Sequence, residues 1–226
     1  MRSLWPLSAQ RPPPAAARAA STAMMGTGEA SVIQPEYQRT KLLVISGAPG
    51  SGKTTLARKL GCRFGFPVLA RDTLKEVMMD ALPPANREES MRLGGASWAM
   101  LYSVLDSLIG RVPGVILESN FRRGVSEEEL LPRLQRCNAV LVHCTASWET
   151  IEQRIREREN SPHRHPGHFD QVALPDVRRG LEDGQFQPLR VPCPIVTADT
   201  MTTYEPPLDD LVAIIERRWS EYRGLT

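Results

Sequence analysis

The run Lys41-Leu42-Leu43-Val44-Ile45-Ser46 is apolar and β-branched, stops at a glycine, and is followed at once by Gly47-Ala48-Pro49-Gly50-Ser51-Gly52-Lys53-Thr54. No other feature of the chain constrains its fold as tightly. The eight residues satisfy G-x-x-x-x-G-K-[ST] without a mismatch, a pattern with physical meaning only between a buried strand and a helix N-terminus. Both flanks are right, since helical periodicity runs from Lys53 to about Leu60. Gly50 and Gly52 let successive backbone N–H groups turn inward around an anion, which a side chain would obstruct. The helix N-terminus adds its partial positive charge. The motif therefore predicts an ATP site: Gly47 to Thr55 around the phosphates, Lys53 on the β- and γ-phosphates, and the Thr54 hydroxyl on Mg²⁺.

The remaining pattern alternates. Phe66 to Ala70 reads as a second strand, with Pro67 tolerable only at its start. Asp72 to Leu82 is helical until Pro83-Pro84 breaks it, and Asn86 to Ile109 is one long helix or two joined near Gly94-Gly95. Val115 to Glu118 is a third buried strand and Ala139 to Cys144 a fourth. Ser126 opens a helix with acid in its first turn, and Ser147 caps another through about Glu159. A shorter helix is expected around Pro175 to Asp183, a last strand at Pro194 to Thr197, and a closing amphipathic helix from Leu208 to Tyr222. Strands alternating with helices imply a parallel sheet covered on both faces, an α/β fold.

Composition narrows the partners. Of the 226 residues, 41% are apolar and 24% charged, which excludes wholesale disorder. No apolar run reaches the roughly eighteen residues of a membrane span. The net charge of +2 comes from Arg2, Arg11, Arg18 and Arg39 set against Glu29 and Glu36, and the chain from Lys41 onward carries 24 basic and 24 acidic residues. Such a neutral body argues against an extended nucleic-acid surface held by counterion release, though a short nucleic-acid end stays open as a substrate. Cys62, Cys137, Cys144 and Cys193 lack metal-ligand spacing and read as reduced, mostly buried thiols of a cytoplasmic protein. Residues 1–39, rich in Ala, Pro and Arg, read as a disordered leader or an upstream start. An organellar transit peptide is the other reading. Residues 40–226 are expected to form a single domain.

Chemistry beyond the phosphate loop needs carboxylates and cations. Glu118 ends Val-Ile-Leu-Glu, where it is either the Mg²⁺ carboxylate or a strand-end acid that meets water. Asp72 follows the second strand directly, in place to accept the proton of an attacking hydroxyl, a role compatible with capping the helix it begins. Arg71 beside it either holds the acceptor or pairs with a neighbour. Arg154 and Arg158 share a helix face and could close over a transferring phosphoryl group or pair with Glu152, Glu157 and Glu159. Arg156 and Arg164 lie close by. The stretch Ser161 to His168 holds three of the four histidines and reads as a lid or substrate loop rather than a zinc site. His143 reads as a packed strand residue, Trp98 and Tyr102 as core, and Phe121, Arg122 and Arg123 as better placed to touch an acceptor.

Together, GAPGSGKT at Gly47 to Thr54, Ala70-Arg71-Asp72, Leu117-Glu118-Ser119-Asn120 and the Arg-x-x-x-Arg of Arg154 to Arg158 resemble the P-loop kinase superfamily. Within it they resemble the AAA-like small kinases that include polynucleotide 5′-hydroxyl kinases, chloramphenicol phosphotransferase and zeta toxins. The resemblance spans roughly Lys41 to Tyr222. It implies a three-layer sandwich around a five-stranded parallel sheet in the order 2-3-1-4-5, a helical lid, and a segment near Thr197 to Thr200 beside the adenine. It also implies a Mg²⁺-dependent transfer of the γ-phosphate of ATP to a hydroxyl acceptor, catalysed by Lys53, Asp72, Arg154 and Arg158, with Thr54 and Glu118 on the metal. Glu118 is closer to the glutamate of zeta toxins than to the aspartate usual in polynucleotide kinases. The alternatives are a P-loop ATPase or nucleotide-binding regulator without an acceptor, and a toxin-like or antibiotic-modifying kinase.

Overall fold

The glycine-terminated run is the middle of the sheet. β1 (Lys41–Gly47) pairs in parallel with β3 (Gly114–Glu118) on one side and with β4 (Asn138–Thr145) on the other. β2 (Val68–Ala70) extends the sheet beyond β3, and β5 (Ile195–Asp199) beyond β4, giving the order β2-β3-β1-β4-β5. This is a computed structural model, and it describes residues 39–159, 161, 165–168 and 170–221, all within the compact unit Pro35–Thr226. Nearly all of the expected leader, together with His163, Arg164 and Tyr222, lies outside the described residues.

Alternation along the buried strands feeds two cores. Leu42 and Val44 of β1 point to one face with Val115, Leu117, Ala139 and Leu141, under α3 (Arg87–Leu108) and α4 (Glu127–Leu134). Leu43 and Ile45 point to the other with Ile116, Val140 and Val142, under α1 (Lys53–Phe64) and α7 (Leu208–Glu221). Such double burial is why these strands read as continuous apolar runs. α2 (Arg71–Ala81) follows β2 directly and packs on α3. A third cluster joins α5 (Trp148–Glu159) and α6 (Asp170–Glu182), where Ile151, Ile155, Leu174 and Val177 enclose Ala48 of the phosphate loop. Burying a side chain such as Ile151 contributes about 2 kcal/mol, so α5 is fixed against the loop by its apolar stripe.

One open choice is settled and two local expectations change. α3 is continuous through Gly94-Gly95, its start fixed by Asn86, whose side chain accepts from the Glu89 amide at 3.0 Å. α6 begins at Asp170, ahead of Pro175. A proline inside a helix costs about 3 kcal/mol, which the burial of Leu174 and Val177 offsets. The Ser126 hydroxyl makes no cap bond to α4 and instead accepts from the Arg122 amide at 2.9 Å. Ser147 does cap α5, accepting from the Thr150 amide at 3.3 Å. Among the described residues, no helix is long and apolar enough to cross a membrane.

Candidate active site

The phosphate loop leaves β1 at its C-terminal edge and enters α1. Gly52 stands in the N-cap position with φ 77° and offers no side-chain cap, and a Cβ there would lie 3.0 Å from Thr200 Oγ1. A Cβ on Gly47 would lie 2.5 Å from the Cys144 carbonyl oxygen. Both positions thus need glycine on conformational and steric grounds. The first N–H groups of an uncapped helix have no partner within it, and no acid occupies the first turn of α1. The Ser51 hydroxyl, 1% exposed, is buried in the same loop without a hydrogen-bond partner. These orphaned donors around a positive helix end suit an anion.

Lys53, Thr54 and Glu118 form one cluster beside the loop. Lys53 Nζ donates to the Ala48 carbonyl at 3.1 Å, and Thr54 Oγ1 donates to Glu118 Oε2 at 3.1 Å. Glu118 stands opposite Ile45 and Ala70 in the sheet and is 3% exposed, so it is no solvated strand-end acid. Burial pushes its carboxyl above the usual carboxylate range, against the pull of Lys53. Burial likewise depresses the Lys53 ammonium, against Glu118 and Asp72. Each charge is costly where it sits and is offset by the other.

The cavity over this cluster, about 360 Å³, is lined on one wall by Gly50, Gly52, Lys53, Thr54, Thr55 and Arg58. Asp72, Thr73 and Glu76 line it from α2, and Arg154, Arg158 and Ser161 from the lid side. Asp72 is not the cap of α2, since Ala70 holds that position and Asp72 falls in the first turn. Its Oδ1 accepts from Arg71 at 2.9 Å. Arg71 lies over the Trp98 ring at 5.2 Å, and Trp98 packs on Tyr102 and Phe121. The aromatic cluster therefore backs Arg71, which pairs with its neighbour and steadies Asp72.

The two lid arginines differ. Ile151 and Ile155 anchor α5 on Ala48, which turns Arg154 and Arg158 toward the cavity. Arg154 donates to the carbonyls of Gly50 at 3.3 Å and Met201 at 3.0 Å, to the Thr200 carbonyl, and to Thr200 Oγ1 at 3.2 Å. Thr200 Oγ1 in turn donates to the Ser51 carbonyl at 2.8 Å. Arg154 is thus a clip between the phosphate loop and the segment after β5. Arg156 faces away and pairs with Glu152.

Of the other expectations, those for Phe121 and Arg123 are revised and those for His143 and the cysteines hold. Phe121 is fully buried in the core rather than placed at an acceptor, and Arg123 ties its own turn to the Pro188 carbonyl at 2.8 Å. Arg122 is exposed. The period-two parity of Val115 and Leu117, carried on to Phe121, was a legible signal for the core. His143 is a packed strand residue whose pKa burial lowers to about 4. All four cysteines are free thiols, Cys62 exposed and the others buried. Among the described residues no three acid, His or Cys side chains converge as a metal site. His165 and His168 instead contact Asp80 and Glu76 of α2. Pattern reading did not single out Arg58, Thr73 or Glu76, which tertiary contact places in the lining, whereas Ser161 belongs to the expected lid loop.

A phosphate loop at the edge of a 2-3-1-4-5 sheet, with arginines over it, is the architecture of a P-loop kinase. The chain belongs to the AAA domain family, whose model matches residues 42–182. A UPF0200 protein of Pyrobaculum aerophilum is 31% identical over 146 residues, which are 63% of this chain and 80% of that protein. The crystal structure of a provisionally assigned kinase from Chloroflexus aurantiacus superposes with a TM-score of 0.68 at 30% identity, covering 79% of this chain and 98% of that one. A shikimate kinase from Bacteroides thetaiotaomicron gives 0.48 at 15% identity, over 79% of this chain and 97% of that one.

Proposed function

We propose that the protein is an ATP-dependent kinase that transfers the γ-phosphate to a hydroxyl acceptor, a small molecule or a nucleic-acid end. One observation carries this reading: a carboxylate with its own supporting arginine, Asp72 with Arg71, faces the same cavity as Lys53, Thr54 and Glu118. A nucleotide switch or plain ATPase has no use for that wall. The loop amides from Gly47 to Thr55 cradle the phosphates, and Lys53 exchanges its contact with the Ala48 carbonyl for the β- and γ-phosphate oxygens. Asp72 accepts the acceptor's hydroxyl proton as that oxygen bonds to the γ-phosphorus and the bond to the bridging oxygen breaks, releasing ADP. Arg158 faces the charge that spreads over the transferring group. Arg154, committed to carbonyls, holds the loop in shape rather than touching the phosphoryl group.

The chain's donors suit Mg²⁺. The Thr54 hydroxyl and the Glu118 carboxylate are two oxygen ligands already in contact, one an acid in a buried place where a cation relieves its cost. When bound, the ion neutralises charge on the β- and γ-phosphates. Incubation with Mg²⁺ and γ-labelled ATP across hydroxyl acceptors tests the proposal, with 5′-hydroxyl oligonucleotides, nucleosides, sugars and chloramphenicol in the panel. Labelled product that disappears in Lys53→Ala is the expected result. Hydrolysis to inorganic phosphate with every acceptor left unlabelled would show a P-loop ATPase instead.

A further inference from the structure

The histidine-rich stretch has no part in the proposal above, yet it is docked on the acceptor wall. Asp72 and Glu76 both line the cavity from α2, and residues four apart on a helix lie one above the other, about 6 Å between Cβ atoms. Behind Glu76 sits His168, its side chain only 6% exposed, with Nε2 at 2.7 Å from Glu76 Oε1. An ionised carboxylate only accepts, so the imidazole donates through Nε2.

The turn that carries His168 is built to hold it there. Lys75 Nζ donates to Ser90 Oγ at 2.8 Å, and Ser90 Oγ donates to the Gly167 carbonyl at 2.6 Å. Lys75 and Ser90 are both buried. The Gly167 amide donates to His165 Nδ1 at 3.0 Å, which leaves Nε2–H of His165 to face Asp80 Oδ1 at 3.3 Å. A Cβ on Gly167 would lie 2.8 Å from Met79 Sδ and 3.0 Å from Pro84 Cγ, so the turn seats closely on α2 because that residue is glycine. Two imidazole–carboxylate contacts and a relay from Lys75 through Ser90 thus fix one carboxylate that opens on the cavity.

We propose that Glu76, held by His168, is a second acceptor-recognising carboxylate, and that the acceptor is a polyhydroxylated molecule, a sugar, polyol or ribose-bearing compound. One hydroxyl gives its proton to Asp72 as it attacks. A second donates to Glu76, whose carboxylate has lone pairs enough to serve His168 and a ligand together. Glu76 recognises the acceptor, and His168 is a positioning residue acting through it. A molecule with a single hydroxyl leaves Glu76 without its ligand partner, and a site built to bind a hydroxyl rejects analogues that lack it.

The inference rests on the kinase reading, and one experiment separates their failures. Transfer from labelled ATP is measured on D-ribose, D-glucose, D-glucitol and adenosine, and on L-serine, choline and 2′,3′-dideoxyadenosine. Glu76→Gln, His168→Ala and His168→Gln are assayed beside wild type. The expected result is transfer confined to the polyhydroxylated group, with acceptor KM raised about tenfold in Glu76→Gln and His168→Ala and ATP KM within about twofold of wild type. His168→Gln, whose amide nitrogen can still donate to Glu76, restores acceptor KM, which a merely structural histidine would not show. Glu76→Gln is a half-exposed isosteric change and keeps the test valid if His168→Ala folds poorly. Transfer to the single-hydroxyl group, or unchanged acceptor KM in Glu76→Gln, overturns the inference while the kinase reading stands. No transfer to any of these acceptors overturns the inference, and the kinase reading falls with it only when the oligonucleotides and chloramphenicol of the wider panel also stay unlabelled.

Discussion

Arg154 offers a perturbation whose size can be worked from its contacts. Its guanidinium holds three carbonyls and a hydroxyl from two segments far apart in the chain, Gly50 and Thr200–Met201. A hydrogen bond from a charged group contributes about 1.5–3 kcal/mol net. Water replaces the donor readily at the exposed Met201 carbonyl and less so at the part-buried Gly50 and Thr200 carbonyls. Counting two bonds at the low end gives a loss of about 3 kcal/mol for Arg154→Ala. For a domain of this size that corresponds to a fall in Tm of roughly 6–12 °C. Arg154→Lys keeps the charge but not the planar fork and recovers only a fraction. Calorimetry on nucleotide-free protein is the assay, because a residue acting only on the transferring phosphoryl group has no effect there. A nucleotide-free Tm equal to wild type, with transfer lost, would refute the clip and restore Arg154 as a phosphate-facing arginine.

Three further outcomes follow from the electrostatics. Burial lowers His143 to about 4 from 6.5, so the unfolded chain takes up a proton at a pH where the folded one does not. Stability is full above about pH 6.5 and falls by roughly 3 kcal/mol as pH drops toward 4, and urea unfolding should show that acid limb flattened in His143→Leu. Burial also pushes Cys137, Cys144 and Cys193 to about 12 while Cys62 is exposed. A thiol reagent at neutral pH should therefore modify one cysteine in the native protein and all four after unfolding. Glu118→Gln should cut the gain in ATP affinity that Mg²⁺ brings by about tenfold or more and leave metal-free ADP binding unweakened, as titration calorimetry with and without the metal would report.

What was legible in the sequence is what local physics decides. β1, the loop and α1 announce themselves because an apolar run, three glycines and a lysine must fall in that order for the chain to turn around an anion. The strand-end position of Glu118 follows from the same run of buried residues that precedes it. Gly94-Gly95 left open whether α3 breaks, and the helix survives because Asn86 caps it and Leu101, Tyr102 and Leu105 bury its second half. What stayed hidden depends on partners distant in sequence. Arg154 meets Thr200, and His168 meets Glu76, only once the sheet brings α5, β5 and α2 to one edge. Nothing in the periodicity of either segment shows which charged face is solvated and which is spent inside the molecule. Pro175 misled because proline usually marks a helix start, whereas here the buried face of α6 overrides its local cost.

The central claim is that Asp72 makes this phosphate loop a kinase site. Its most direct test is a single turnover of bound, γ-labelled Mg²⁺-ATP in the presence of an accepted hydroxyl compound, comparing wild type with Asp72→Asn. General base catalysis predicts that transfer slows by about 10²–10⁴-fold, with ATP affinity unchanged because Asp72 lies on the acceptor wall. Transfer at the wild-type rate in Asp72→Asn would contradict the account and take the base out of the mechanism.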